Sequence, residues 1–93
     1  MIRHVVLWSM KADAEGELDL LLAELRALPE EIEEIRALSA GRHLNESPFD
    51  AALCVDVDDA EALERYRSHP AHRPSLQHLR QVAGEIAVGD YEF

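Results

Sequence analysis

The opening segment, Met1–Met10, carries apolar side chains on both faces of a strand. By the two-residue period, Ile2, His4, Val6 and Trp8 point one way, and Arg3, Val5, Leu7 and Ser9 the other. A sheet that is apolar on both faces has to be covered on both. The C-terminal segment Gly84–Phe93 makes the same demand, with Ile86 and Val88 on one face and Ala87, Tyr91 and Phe93 on the other. A chain of 93 residues is a single domain, Met1–Phe93, with a modest core. A second copy packed sheet against sheet supplies the missing cover, so a homodimer through the sheet faces is expected.

Between these ends the pattern alternates. Leu18, Leu21, Leu22, Leu25 and Leu28 follow helical spacing, which predicts a helix from about Glu15 to Leu28, stopped by Pro29. A proline-initiated turn over Pro29–Glu34 leads to a second strand, about Ile35–Leu44, with Gly41 as a candidate bulge. Asn45–Pro48 is a turn by composition, and Ala51–Val57 a third strand. Asp58, with Glu61 three residues on, predicts a capped helix whose inward stripe is Ala60, Leu63 and Tyr66 or Arg67. Pro74 then opens a further helix bearing Leu76, Leu79 and Val82. The order strand, helix, strand, strand, helix, strand suits an α+β fold: a split βαβ with a four-stranded antiparallel sheet and helices on one face.

Charge narrows the partners. Nineteen acids against nine Lys and Arg give a net charge of -10, with no basic stripe for nucleic acid or an anionic membrane surface. No apolar run approaches the roughly 20 residues of a membrane span, and no basic-then-apolar leader opens the chain, so the expected location is cytoplasmic. The one cysteine, Cys54, forms no intrachain disulfide and reads as a small hydrophobe.

The segment carrying chemistry is Tyr66-Arg67-Ser68-His69-Pro70-Ala71-His72. Pro70 lacks an N–H and clashes with a continuing helical turn, so the helix breaks between Tyr66 and His72. The break turns His72 back toward the face of Tyr66 and sets a phenol and an imidazole at one hollow. An ordinary imidazole is largely neutral at pH 7 and takes a proton, while a phenol donates to developing enolate oxygen. The competing assignment packs Tyr66 in the core and leaves His69 and His72 to cap the broken helix. No metal is expected: Pro70 spoils the alignment of His69 with His72, no zinc pattern appears, and Asp56, Asp58 and Asp59 read as a solvated edge or helix cap. His43 and His78 carry no local motif.

These pieces resemble the stress-responsive dimeric α/β-barrel, or Dabb, family. The resemblance rests on Met1-Ile2-Arg3-His4-Val5-Val6-Leu7-Trp8, Gly41 with Asn45, Phe49–Leu53, the Tyr66–His72 segment and Asp90-Tyr91. It implies a ferredoxin-like βαββαβ subunit, a dimer forming an α/β barrel, and a pocket between sheet and helices. Some plant members are polyketide cyclases that close a poly-β-keto chain by aldol condensation without a cofactor. Their tyrosine and histidine fall by position on Tyr66 and His72, and a pocket histidine falls on His4. The pocket departs from theirs, with leucines on the first helix, Arg67 after the tyrosine, and Ser75 and Ala83 in place of aromatics.

The expected site is therefore Tyr66 as donor and His72 as base. Ligand contacts are expected from His4, Val6, Trp8, Leu53, Val55, Leu63, His69, Ile86 and Val88, with no cofactor. Three functions stay open: a cofactor-free lyase or cyclase, a non-catalytic stress-response or ligand-binding module, and a cofactor-free monooxygenase with Trp8 at its site.

Overall fold

Period-two alternation builds four strands: β1 (Ile2–Met10), β2 (Ala37–Arg42), β3 (Ala51–Val57) and β4 (Ala83–Glu92). The computed structural model describes every residue, Met1–Phe93. The sheet is antiparallel throughout, in the order β2-β3-β1-β4, the ferredoxin-like arrangement. Three helices cover one face: α1 (Leu18–Arg26), α2 (Ala60–Ser68) and α3 (Arg73–Val82). On the covered side His4, Val6, Trp8 and Met10 of β1 are buried, with Ala51, Leu53, Val55 and Val57 of β3. Leu18, Leu21, Leu22 and Leu25 bury the facing stripe of α1, each contributing about 1.5–3 kcal/mol of transfer energy.

The opposite sheet face carries no helix. Val5 and Leu7 stand there half-buried beside Cys54, and Tyr91 and Phe93 are about half exposed. Arg3 crosses it, donating from Nε and Nη2 to both oxygens of Asp56 at 2.7 and 2.9 Å, with its Cζ 4.4 Å from the centre of the Phe93 ring. This pairing holds the Asp56 carboxyl below its usual value.

Several boundaries differ from the sequence expectation. The helix expected over Glu15–Leu28 is α-helical only over Leu18–Arg26, with 3-10 turns at Ala12–Glu17 and Leu28–Glu30. Gly16 has poor helix propensity, and Pro29 has no N–H to continue the ladder. The second strand is shorter than Ile35–Leu44, running over Ala37–Arg42, with one further in-register bond from His43 N–H to the Asp50 carbonyl at 2.8 Å. Gly41 is not a bulge: β2 pairs with β3 in unbroken register. The irregularity lies instead between Trp8 and Met10 against β4. There Ser9 Oγ accepts from Glu85 N–H at 2.9 Å, and a Cβ on Gly84 would come within 3.0 Å of that oxygen.

The cap of α2 is Asp59, not Asp58; its carboxylate accepts from Ala62 N–H at 2.8 Å. Asp58 pairs with Arg36 at 2.7 Å instead. Ala60 is then the first helical residue and is exposed, while Ala62 joins Leu63 and Tyr66 inside.

Candidate functional site

Pro70 governs the site. α2 ends at Ser68, His69 takes an extended conformation, and Pro70–His72 forms one 3-10 turn before α3. The turn returns His72 to the Tyr66 ring, with centroids 4.6 Å apart and planes inclined at 36°. On the other side of the phenol the His4 ring stands edge-on at 5.9 Å. Tyr66 thus sits between two imidazoles, one from β1 and one from the helix break.

These three side chains line a cavity of about 430 Å³ between the sheet and the helices. Val6, Leu53, Ile86 and Val88 form its sheet side; Leu25, Ser75, Leu76 and Leu79 form its helical side, and Arg67 and Arg80 complete it. Ile86 and Val88 remain 44% and 57% exposed, so the cavity opens along β4.

Tyr66 is fully buried, yet its hydroxyl makes no hydrogen bond within the protein. An unpaired buried hydroxyl costs about 1–3 kcal/mol. Burial pushes the phenol up to about 12, so it remains a donor at neutral pH. His72 Nδ1 lies a long 3.5 Å from the Arg67 carbonyl oxygen. A carbonyl only accepts, so this contact assigns the hydrogen to Nδ1 and makes Nε2 the basic nitrogen of the ring. Burial lowers the His72 pKa below the usual 6.5, and the charges of His4 and Arg80 act in the same direction. The imidazole is therefore a neutral base at pH 7.

Asp90 is the functional neighbour that sequence reasoning missed as a site residue. It sits opposite His4 in the β1–β4 register. One carboxylate oxygen contacts His4 Nδ1 at 2.6 Å and the other accepts from Arg67 at 2.6 Å. The carboxylate fixes the orientation of the His4 ring against Tyr66. A signal was present: Asp90 continues the alternation of Ile86 and Val88, placing an acid on the face those apolar residues share. Leu25, Leu79 and Arg80 had no comparable local signal.

Of the expected contacts, His4, Val6, Leu53, Ile86 and Val88 line the cavity with Tyr66 and His72. Trp8, Val55 and Leu63 do not, being sealed in the core at 0%, 0% and 5% exposure. No indole reaches the cavity. His69 lies outside it as well: its Nδ1 accepts from Ala71 N–H at 3.1 Å and caps the 3-10 turn. His78 is held between Glu24 and Glu17, at 2.9 and 3.1 Å. No group of three or more His, Cys, Asp or Glu is arranged to hold a metal ion, and no helix is long and apolar enough to cross a membrane.

The sequence matches the stress responsive A/B barrel domain, Dabb, over residues 2–93. The chain belongs to the Dabb family. An uncharacterized protein of Streptomyces coelicolor is 36% identical over 98 residues, with all of both chains covered. A dimeric protein of unknown function from Bacteroides fragilis, with a ferredoxin-like fold, is 28% identical at a TM-score of 0.87; 99% of this Dabb chain and 95% of that chain are covered. The hydroxynitrile lyase of Passiflora edulis shares the fold, with a TM-score of 0.86 at 16% identity over 97% of this chain and 90% of its own.

Proposed function

We propose that this Dabb protein acts as a homodimer that binds a small, largely apolar ligand in the 430 Å³ cavity and catalyses cofactor-free proton transfer on it. His72 Nε2 takes a proton from the carbon between two carbonyls of the ligand. The enolate oxygen accepts a hydrogen bond from the Tyr66 hydroxyl, and the imidazolium returns the proton to the product. General-base help of about 10²–10⁴-fold suffices for such an activated carbon. The dimer forms through the bare sheet face, covering Val5, Leu7, Tyr91 and Phe93.

The observation that carries the reading is the Tyr66 hydroxyl: buried, unpartnered, and beside an imidazole kept neutral by its own burial. The fold also serves a lyase in Passiflora edulis, so carbon–carbon chemistry is compatible with this scaffold.

The test is deuterium incorporation at the α-carbon of a β-ketoacyl thioester in D2O, followed by NMR. Exchange by the wild type and its loss in a dimeric His72→Ala variant are expected. Unchanged exchange in that variant overturns the catalytic assignment. Thioester binding without any exchange would instead make the protein a ligand-binding module.

A further inference from the structure

We infer that Arg80 selects a ligand with a carboxylate head, its apolar body lying along Leu76, Leu79, Ile86 and Val88. This rests on the cavity being a ligand site. The chain has nineteen acids for nine Lys and Arg, so a cation without a partner is unexpected. Apart from Arg73, every other Lys or Arg reaches a carboxylate or carbonyl oxygen. Arg80 makes no ion pair, yet it lines the cavity.

The other arginine there is already neutralised. Arg67 donates to Asp90 at 2.6 Å and to Glu64 at 3.1 Å, so its charge is not available to a ligand. Arg80 stands one helical turn after Leu76 on the same face of α3. Eight of the thirteen lining residues are hydrophobic, so a fully polar anion finds little to bind. An amphipathic acid satisfies both features: its tail buries apolar surface, and its carboxylate meets the planar guanidinium fork in a bidentate pair. A single fork matches a monoanion, which favours carboxylate over phosphate.

Octanoate and octanamide share one tail and differ in charge, and calorimetry at pH 8 compares them directly. Octanoate is expected to bind at least about tenfold more tightly, as for a charge-assisted bidentate contact. Arg80→Gln is expected to erase that preference by weakening octanoate, which then binds no more tightly than octanamide. Arg73→Gln, which removes an unpaired cation outside the cavity on the same helix, is expected to change neither. Equal binding of acid and amide, or a preference that survives Arg80→Gln, overturns the head-group assignment and leaves the cavity as a ligand site. Tighter binding of octyl phosphate overturns carboxylate in favour of phosphate. Failure of both eight-carbon probes to bind while the β-ketoacyl thioester still binds overturns the head-group assignment alone, and failure of all three removes the ligand site with it.

Discussion

The imidazole of His72 lies 4.6 Å from the Tyr66 ring, across the break that Pro70 makes in the helical run. The hydroxyl of that tyrosine has no partner in the protein. Tyr66→Phe therefore strands no other group. Its stability is expected to hold or rise by up to about 1 kcal/mol, read from urea unfolding. Proton exchange on the thioester is expected to fall about 10²-fold, as when one oxyanion donor is lost. A Phe variant that unfolds at clearly lower urea would contradict the unpaired hydroxyl.

The pH dependence follows from the same pair. Burial lowers the pKa of His72 from 6.5, so its basic form gains over a range below that value. The exchange rate is expected to rise with pH, reach half its maximum below pH 6.5, and stay level through neutrality. The phenol, pushed up to about 12, adds no alkaline limb in the ordinary range. An acid limb centred above 6.5 would point to a base other than His72.

What the sequence made legible was local. Alternation in β1 separated the buried His4 and Val6 from the bare Val5 and Leu7, and Ala51–Val57 ran as read. Pro70 alone dictated the turn that returns His72 to Tyr66. The cap of α2 was misplaced because two adjacent aspartates, Asp58 and Asp59, offer the same chemistry, and only the pull of Arg36 on Asp58 separates them. Trp8 shared the face of His4, yet period two does not tell which residues of a face lie under helices and which meet a cavity. Asp90 meets His4 through the β1–β4 register across 86 residues, a pairing no local pattern displays.

Asp90 joins β4 to β1 and α2 through His4 and Arg67. Asp90→Asn turns one acceptor oxygen into an NH2 group, which cannot accept from either neighbour. A loss of about 1–3 kcal/mol is expected from a hydrogen bond to a charged group, with the lower end favoured by partial exposure of the site. Since His4 then loses its fixed orientation beside Tyr66, proton exchange is expected to drop as well. Unfolding at the wild-type midpoint would show that the 2.6 Å contacts add nothing to the fold.

The proposed dimer gives Leu7 a sharp test. It is half-buried in the protomer on the face without helices. Leu7→Glu is expected to leave the protomer folded by circular dichroism, because the side chain still reaches solvent there. Two buried carboxylates facing each other across a two-fold interface would be strongly unfavourable, so sedimentation velocity is expected to find monomer. A variant that sediments as the wild-type dimer would place the interface elsewhere.

His78 ties α3 to α1 and to the turn before it, with Nδ1 at 2.9 Å from Glu24 and Nε2 at 3.1 Å from Glu17. Both ring nitrogens can donate only when the imidazole is charged. Glu24 first, then Glu17, therefore raises its pKa above 6.5. For a pKa raised on folding, the added stability is present in full below the unfolded value and is lost as pH rises through the folded one. His78→Gln is expected to cost about 0.5–1 kcal/mol at mildly acidic pH, since the carboxylates are largely solvated. The gap should close as the pH rises well past 6.5, and high salt should narrow it by screening. Urea unfolding of both proteins across that range reads the difference. A gap constant with pH would mean that neutral His78 packs as well as charged His78, and that neither carboxylate needs the proton.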